Sequence, residues 1–170
     1  MSDNEEAIRT VELFLDNSLK SANRIFKEAA KEVFIRVVDQ TPTFFEHEPS
    51  SGNTKANWNA SVGSPDRSYA PTAADYSGDT TKSNIRGVIQ RTKVDGNTTF
   101  YLSNSSPSLP SLELGLYPNP PFLGSWNTLT QTYEIRSRNG YSLQAPQGIV
   151  GVTALQWPEI VSDMIARYSK

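Results

Sequence analysis

The residue types that carry most enzyme chemistry are scarce in this sequence. Its 170 residues include one histidine, His47, and no cysteine. A serine hydrolase would have to use His47, which lies between Glu46 and Glu48, and there is no Gly-x-Ser-x-Gly turn to present a serine. The lack of cysteine also excludes thiolate chemistry and a disulfide framework. A small hydrolase is therefore the weakest functional alternative.

The acidic residues of the central region give no better catalytic candidate. Glu46, Glu48, Asp75 and Asp79 all lie in predicted loops. Such carboxylates could bind a hard cation or act as a glycosidase pair, but their spacing supports neither role. With one histidine and no cysteine, a transition-metal site also has too few ligands. We expect no catalytic residue, no metal and no cofactor.

Aromatic residues in predicted loops could stack on sugars or on bases. The overall charge of −2, from 16 basic and 18 acidic residues, gives no general attraction to nucleic acid. A carbohydrate- or receptor-binding module is therefore the alternative that these residues favour. They are Phe44, Phe45, Tyr69, Tyr76, Tyr117, Phe122 and Trp126.

The length and composition predict one domain spanning residues 1–170. Only 36% of the residues are apolar, and glycine and proline together number 21, so we expect a modest core and long polar loops. The first six residues are polar and acidic, unlike a signal peptide. No apolar run reaches the roughly 20 residues of a membrane span. We expect a protein made and kept in the cytoplasm, with no membrane partner.

The terminal regions carry the apolar periodicity of helices. Residues 5–39 have apolar side chains at spacings of three and four, which predicts a helix that ends before Thr41-Pro42. One straight helix would be about 50 Å long, more than the width of a compact domain of this size. The polar run Asp16-Asn17-Ser18, followed by Lys20-Ser21, is therefore the expected position of a bend or break. The stripe contains Ile8, Val11, Leu15, Ala22, Ile25, Phe26, Ala29, Val33 and Val37.

Strands are predicted between the two ends of the chain. Residues 57–62 alternate around Trp58, and residues 98–103 are β-branched and aromatic. Residues 80–92 fit a helix capped by Asp79 or Thr80, which we prefer, or a strand interrupted by Gly87. Residues 149–155 fit a helix or a strand, and a last helix opens at Trp157-Pro158. The sequence predicts an α+β fold, with an N-terminal long helix and a C-terminal helix packed on a small, mainly antiparallel sheet.

Residues 117–139 form a long loop or hairpin insertion. Residues 128–135 have strand character, and Asn139-Gly140 is a hairpin turn signal. Segments of this length in compact domains usually serve a function. We expect Phe122, Leu123, Trp126 and Leu129 to contact a neighbouring subunit; the alternative is that they fold back on their own domain.

Three dispersed segments resemble a known family. Thr41-Pro42 with Ser51-Gly52-Asn53-Thr54-Lys55-Ala56-Asn57-Trp58 resembles a Thr-Pro…Thr-Gly-x-x-(Lys/Arg)-x-x-Trp motif. Phe100 to Asn104 with Leu112-Glu113-Leu114-Gly115 resembles a strand followed by a Leu-Glu-x-Gly element. Gln144-Ala145-Pro146-Gln147-Gly148-Ile149-Val150 resembles a Gln-Ala-Pro-x-Gly-(Met/Ile)-Val segment. The order and types match the tail-completion and head–tail joining (neck, minor tail) proteins of long-tailed bacteriophages.

The resemblance implies a non-enzymatic structural protein of the virion. It would form a homo-oligomeric ring at the neck or upper tail, assembled in the host cytoplasm, that joins head to tail or completes the tail. Its neighbours would be connector, tail-terminator or tail-tube proteins, and DNA would pass through the ring without sequence-specific binding. The motif residues with an expected structural role are Gly52, Trp58, Glu113, Gly115, Pro146 and Gly148.

Overall fold

The computed structural model describes residues 3–43, 52–127 and 129–169 and has an α+β fold. The helices are α1 (Asp3–Gln40), α2 (Asn53–Ala56), α3 (Asp79–Arg91), α4 (Leu109–Leu114), α5 (Val150–Leu155) and α6 (Trp157–Tyr168). The strands are β1 (Asn59–Val62), β2 (Phe100–Ser103), β3 (Ser125–Asn127), β4 (Thr132–Glu134), β5 (Ser137–Arg138) and β6 (Tyr141–Ser142).

Helix α1 is one continuous helix of 38 residues, so the predicted break at residues 16–21 is wrong. Lys20 forms an ion pair with Asp16 one turn earlier, within the segment that was expected to break. The helix is not limited by the width of the domain because residues 5–20 are all exposed and lie outside the packed core. At its end, the Thr41 hydroxyl donates to the Val37 carbonyl, and Pro42 follows.

The apolar stripe of α1 is buried only in its C-terminal half. Ala29, Val37 and Val38 are core residues, whereas Ile8, Val11 and Leu15, which were predicted to pack on the domain, are exposed. Phe14 and Leu19 are also exposed on this N-terminal half. We call residues 5–20 the α1 arm.

Two apolar clusters hold the helices together. Ala29 packs with Ile160 and Met164 of α6, and Val33 and Tyr168 border this cluster. The larger cluster lies on the other side of α1, where α3, β1, β2 and the segment before α5 meet. Its buried members are Ala30, Val37, Val38, Trp58, Ile85, Ile89, Leu112, Ala145 and Ile149.

The strands of the described residues form separate two-stranded antiparallel ladders rather than one sheet. β1 pairs with β2, from Asn59 opposite Ser103 to Val62 opposite Phe100. β3 pairs with β4, and β5 pairs with β6, within residues 125–142. The C-terminal helix α6 packs along α1, so helix–helix contact takes the place of part of the expected sheet.

Both ambiguous segments are helical. Residues 79–91 form α3, which confirms the preferred alternative, and residues 150–155 form α5. The cap of α3 differs from the predicted Asp79 or Thr80. Asp75 accepts hydrogen bonds from the backbone N–H groups of Gly78 and Thr81 and from the Thr81 hydroxyl, at 2.7–3.0 Å. A carboxylate four residues before the first residue of the helix thus satisfies the N–H groups of Gly78, just before α3, and of Thr81 in its first turn.

Candidate functional site

The two parts of the first motif, Thr41-Pro42 and Gly52 to Trp58, are in contact through the Trp58 side chain. The Trp58 side chain is 5% exposed, and its Nε1–H donates to the Thr41 hydroxyl at 2.8 Å. Thr41 and Trp58 are thus in direct contact although 17 residues separate them. Gly52 opens α2 with φ of +75°, and a Cβ there would lie 2.5 Å from the Asp75 backbone. Only glycine fits this position without displacing the cap of α3.

The second and third motifs meet at Glu113. Its Oε2 accepts from the N–H groups of Ile149 and Val150 at 2.8 and 2.9 Å, and its Oε1 accepts from Gly151 at 2.9 Å. Glu113 therefore caps the N-terminus of α5 from 36 residues away in sequence. By its sequence position beside Gly115, Glu113 could be a surface contact or a capping acid, and the geometry is that of a cap.

Close backbone approach explains the glycines of this junction. Gly148 has φ of +83°, and a Cβ there would lie 2.8 Å from the Glu113 carbonyl oxygen. Gly115 ends α4 in the left-handed region, and a Cβ there would lie 2.5 Å from the Tyr141 ring. Pro146 is exposed, beside the buried Ala145. We call the contacts of Glu113 with Gly148 and with the N–H groups of residues 149–151 the Glu113 junction.

The chemistry available at these junctions is structural. Both Glu113 oxygens accept backbone hydrogen bonds, so this carboxylate is committed to the cap. Within the described residues, no group of three His, Cys, Asp or Glu side chains is placed to hold a metal ion. Lys55, a residue of α2 between Gly52 and Trp58, is a buried ionisable group. Its desolvation lowers the pKa of the ammonium group, and the charges of Asp39 and Asp75 partly oppose this shift.

The four predicted interface residues lie in the hairpin insertion and are exposed. Phe122 is 89% exposed, and Leu123, Trp126 and Leu129 also face solvent, as do Tyr133 and Ile135. Trp126 contacts Tyr133 across the β3–β4 ladder in an edge-on arrangement with ring centroids 5.1 Å apart. These side chains do not fold back into the core of their own chain.

Polar contacts fix the shape of the β3–β4 hairpin. The buried Asn127 donates to a Glu134 carboxylate oxygen at 2.6 Å, and this hydrogen bond, with the charge of Arg136, lowers the pKa of Glu134. The Asn127 side-chain oxygen Oδ1 accepts from the N–H groups of Leu129 and Thr130. Asn127 thus links β3 both to β4 and to residues 129 and 130, close to the exposed apolar side chains.

A cleft lies at the base of the hairpin. Its volume is about 390 Å³, and Tyr117, Pro118, Phe122, Leu123 and Arg136 line it. This shape combines aromatic faces with hydrogen-bonding groups, as in small-molecule sites. Phe122 and Leu123 belong both to the cleft and to the exposed apolar surface.

The α1 arm is the surface that the sequence analysis missed. Its apolar residues were assigned to the core because they share the periodicity of the buried half of α1. The signal was present in the length of the helix, which exceeds the width of the domain. A helix that is longer than its domain is wide must leave one end uncovered, and in this chain the uncovered end is the α1 arm.

Some sequence-based candidates lie outside the described residues. His47, Glu46, Glu48, Phe44 and Phe45 all fall in residues 44–51. Across the described parts of the chain, no helix combines the length and the apolar character needed to cross a membrane. Comparisons with protein-family models, curated proteins and solved structures found no match to this chain.

Proposed function

We propose that this chain is a structural protein of a long-tailed bacteriophage virion, located at the neck or upper tail. Copies of it form a ring that joins the head to the tail or completes the tail. The role is not enzymatic and needs no cofactor. Assembly takes place in the host cytoplasm, and neighbouring connector, tail-terminator or tail-tube proteins contact the ring.

The observation that carries the proposal is the Glu113 junction. The Leu-Glu-x-Gly and Gln-Ala-Pro-x-Gly-Ile-Val segments resemble family motifs independently, and nothing in their sequence spacing requires them to touch. Glu113 nevertheless accepts three N–H groups of residues 149–151, and Gly148 has no room for a side chain against it. The motifs that carry the resemblance thus fit together as parts of one architecture.

Two exposed apolar surfaces support a role in an assembly. The α1 arm exposes Ile8, Val11, Phe14 and Leu15, and the hairpin exposes the four predicted interface residues. Contiguous apolar surface of this kind usually marks contacts with other proteins. A ring offers two such contacts to every subunit, one with each neighbour, because each head-to-tail interface uses two different patches.

The proposal is tested in the phage that encodes the chain. A stop codon early in the gene should leave filled heads and separate tails in infected cells, as seen by electron microscopy. Plasmid-borne wild-type protein should restore infectious particles, which controls for effects on neighbouring genes. Mass spectrometry of purified virions should detect the chain as a stoichiometric component.

Two results would overturn this function. One is a normal yield of infectious particles from the stop-codon mutant. The other is the absence of the chain from purified virions that contain the known neck and tail proteins. Negative-stain images of the isolated protein add the ring order if rings form without partners.

The cleft at the base of the hairpin favours a second candidate, a carbohydrate- or receptor-binding module. Tyr117, Phe122 and Arg136 line this cleft, so it offers aromatic and polar groups of the kinds that sugars bind. A glycan array probed with the isolated protein tests this candidate. Binding that is lost in Phe122→Ala and kept in Leu155→Ala, an exposed residue on α5, would support it.

A further inference from the structure

Half of the basic residues of this chain lie in two short stretches. Residues 20–31 of α1 contain four basic residues and one acid, and residues 80–94 contain four basic residues and no acid. These two stretches hold half of the chain's 16 basic residues but only one of its 18 acidic residues. The net charge of −2 hides this separation, because the rest of the chain is strongly acidic.

The fold places the two stretches side by side. Lys27 Nζ donates to the Gln90 carbonyl at 3.2 Å, Asn23 donates to the Val94 carbonyl at 3.4 Å, and Lys82 pairs with Asp39. α1 and α3 are therefore antiparallel neighbours. We call the surface that they form the α1–α3 face. Its basic residues are Lys20, Arg24, Lys27, Lys31, Lys82, Arg86, Arg91 and Lys93.

Several of these side chains are available to a ligand. Arg86, Arg91 and Lys93 are exposed, and Arg86 and Arg91 border an open polar groove of about 600 Å³ on α3. Arg24 is exposed, but it lies over the Tyr168 ring at 4.1 Å, which draws its guanidinium group toward α6. Lys20, Lys31 and Lys82 are excluded from the set because they pair with Asp16, with Glu28, and with Asp39 and Asp79, respectively.

The chemistry of the face favours a phosphate backbone over a protein partner. Among the described residues, none of the large exposed apolar side chains lies in residues 20–43 or 79–94, whereas the α1 arm and the hairpin carry many. Protein interfaces have an apolar or aromatic core, which this face lacks. Contacts to DNA phosphates need only positive charge and hydrogen-bond donors. Single-stranded binding would also need exposed aromatic platforms.

We propose that the α1–α3 face binds the backbone of double-stranded DNA without reading its sequence. The four basic residues of α1 span about 16 Å along the helix, a length over which duplex DNA carries on the order of ten charges. Their spacing of three and four residues keeps them on one side of α1. Binding itself does not depend on the proposed place in a virion. The further step, that this face is directed toward DNA inside a ring, rests on the proposed function.

Fluorescence anisotropy with a labelled short duplex of mixed sequence tests the proposal. The wild-type protein should bind with micromolar affinity in about 50 mM salt, and the affinity should fall steeply as salt rises. A second duplex of scrambled sequence should bind equally well. The triple variant Arg86→Gln, Arg91→Gln, Lys93→Gln should bind at least about tenfold more weakly, with the slope of log affinity against log salt reduced by about 3.

The matched control removes three basic residues elsewhere. Arg9→Gln, Arg67→Gln, Arg138→Gln gives the same change in net charge at exposed positions outside the face, and its affinity should stay within about threefold of wild type. Circular dichroism confirms that both variants fold. Equal losses in the two triple variants would mean that only net charge matters and would overturn the assignment of the face.

Two other results would also overturn it. One is the absence of duplex binding by the wild-type protein in low salt. The other is equal binding of polyglutamate, since the face would then recognise any acidic chain, including the acidic α1 arm of a second copy. Light scattering identifies that case, because the face variant would then lose self-association. None of these results bears on whether the chain is found in virions, so failure here leaves the proposed function standing.

Discussion

The Trp58 indole N–H donates to the Thr41 hydroxyl at 2.8 Å, and that hydroxyl donates in turn to the Val37 carbonyl at 2.7 Å. This relay ties the end of α1 to the residue that enters β1. Each polar group in it is buried and has a partner, so the relay fixes the position of the indole without leaving a donor unsatisfied.

The first prediction follows from this position. Trp58→Ala should lower the free energy of unfolding by ~3–5 kcal/mol, because it empties a core site and leaves the Thr41 hydroxyl without its donor. Trp126→Ala is the control, since Trp126 lies on the exposed hairpin, and it should change stability by less than ~1 kcal/mol. Urea denaturation followed by circular dichroism measures both. Similar losses in the two variants would contradict the assigned core.

The second prediction separates backbone strain from close approach at Gly148. Gly63 and Gly148 have similar positive φ values, +79° and +83°, but no atom lies within 4 Å of a Cβ at Gly63. Gly63→Ala should therefore cost only the strain, ~1 kcal/mol. Gly148→Ala should cost ~1–3 kcal/mol more, because its Cβ meets the Glu113 backbone. Equal losses in thermal or urea unfolding would show that the Glu113 junction has room to relax.

The third prediction concerns the pH dependence of the Lys55 site. The folded-state pKa of Lys55 lies below its ordinary value of 10.5, so the unfolded chain binds this proton more tightly. The cost of burying the ammonium is present at neutral pH and is relieved as pH rises from the lowered pKa toward 10.5. The Lys55→Met variant lacks the buried ammonium group. The amount by which its free energy of unfolding exceeds that of the wild type should therefore shrink between pH 7 and pH 10.5.

Urea midpoints at a series of pH values measure that convergence. Lys20→Met is the matched control, because its ammonium is exposed on α1 and the substitution removes charge without relieving burial. A constant difference between Lys55→Met and wild type across the alkaline range would show that solvent reaches the Lys55 ammonium.

The fourth prediction concerns the hairpin insertion. Replacing residues 118–135 by a short Gly-Ser linker should leave the circular dichroism spectrum and melting temperature nearly unchanged, because most of the removed side chains are exposed. The cut spares β5, which pairs with β6 next to the buried Ser142. Particle assembly should fail, with unjoined heads and tails in infected cells. Normal virions would show that the hairpin is not part of an interface between subunits. An unfolded deletion variant would show that the hairpin belongs to the core.

The elements that were predicted correctly are those whose own residues determine them. α3 and α6 carry one apolar face each, and β2 contains two aromatic residues and directly follows the β-branched Thr98 and Thr99. Such patterns act over a few residues, so the sequence displays them directly. The continuity of α1 was missed for a different reason. The bend was placed to keep the helix within a compact domain, and the helix instead extends beyond it.

Contacts between distant residues explain the rest of what the sequence did not show. Glu113 and the N–H groups of residues 149–151 are brought together by the fold, and neither segment alone indicates that the acid is a cap. The α1–α3 face is similar, because a count of charges along the chain cannot show that α1 and α3 lie side by side. The separate two-stranded ladders could not be foreseen either, since pairing between strands depends on tertiary contacts.

The length of the α1 arm determines how far its apolar stripe extends from the domain. Each residue advances the helix by about 1.5 Å and turns it by about 100°, so the reach of the arm and the direction of its apolar stripe are coupled. An insertion of seven residues at residue 20 would move the stripe outward by about 10 Å and keep its direction within about 20°. An insertion of five would turn it to the far side. In the proposed assembly, changes in the spacing between subunits that the arm joins would thereby be restricted to discrete steps.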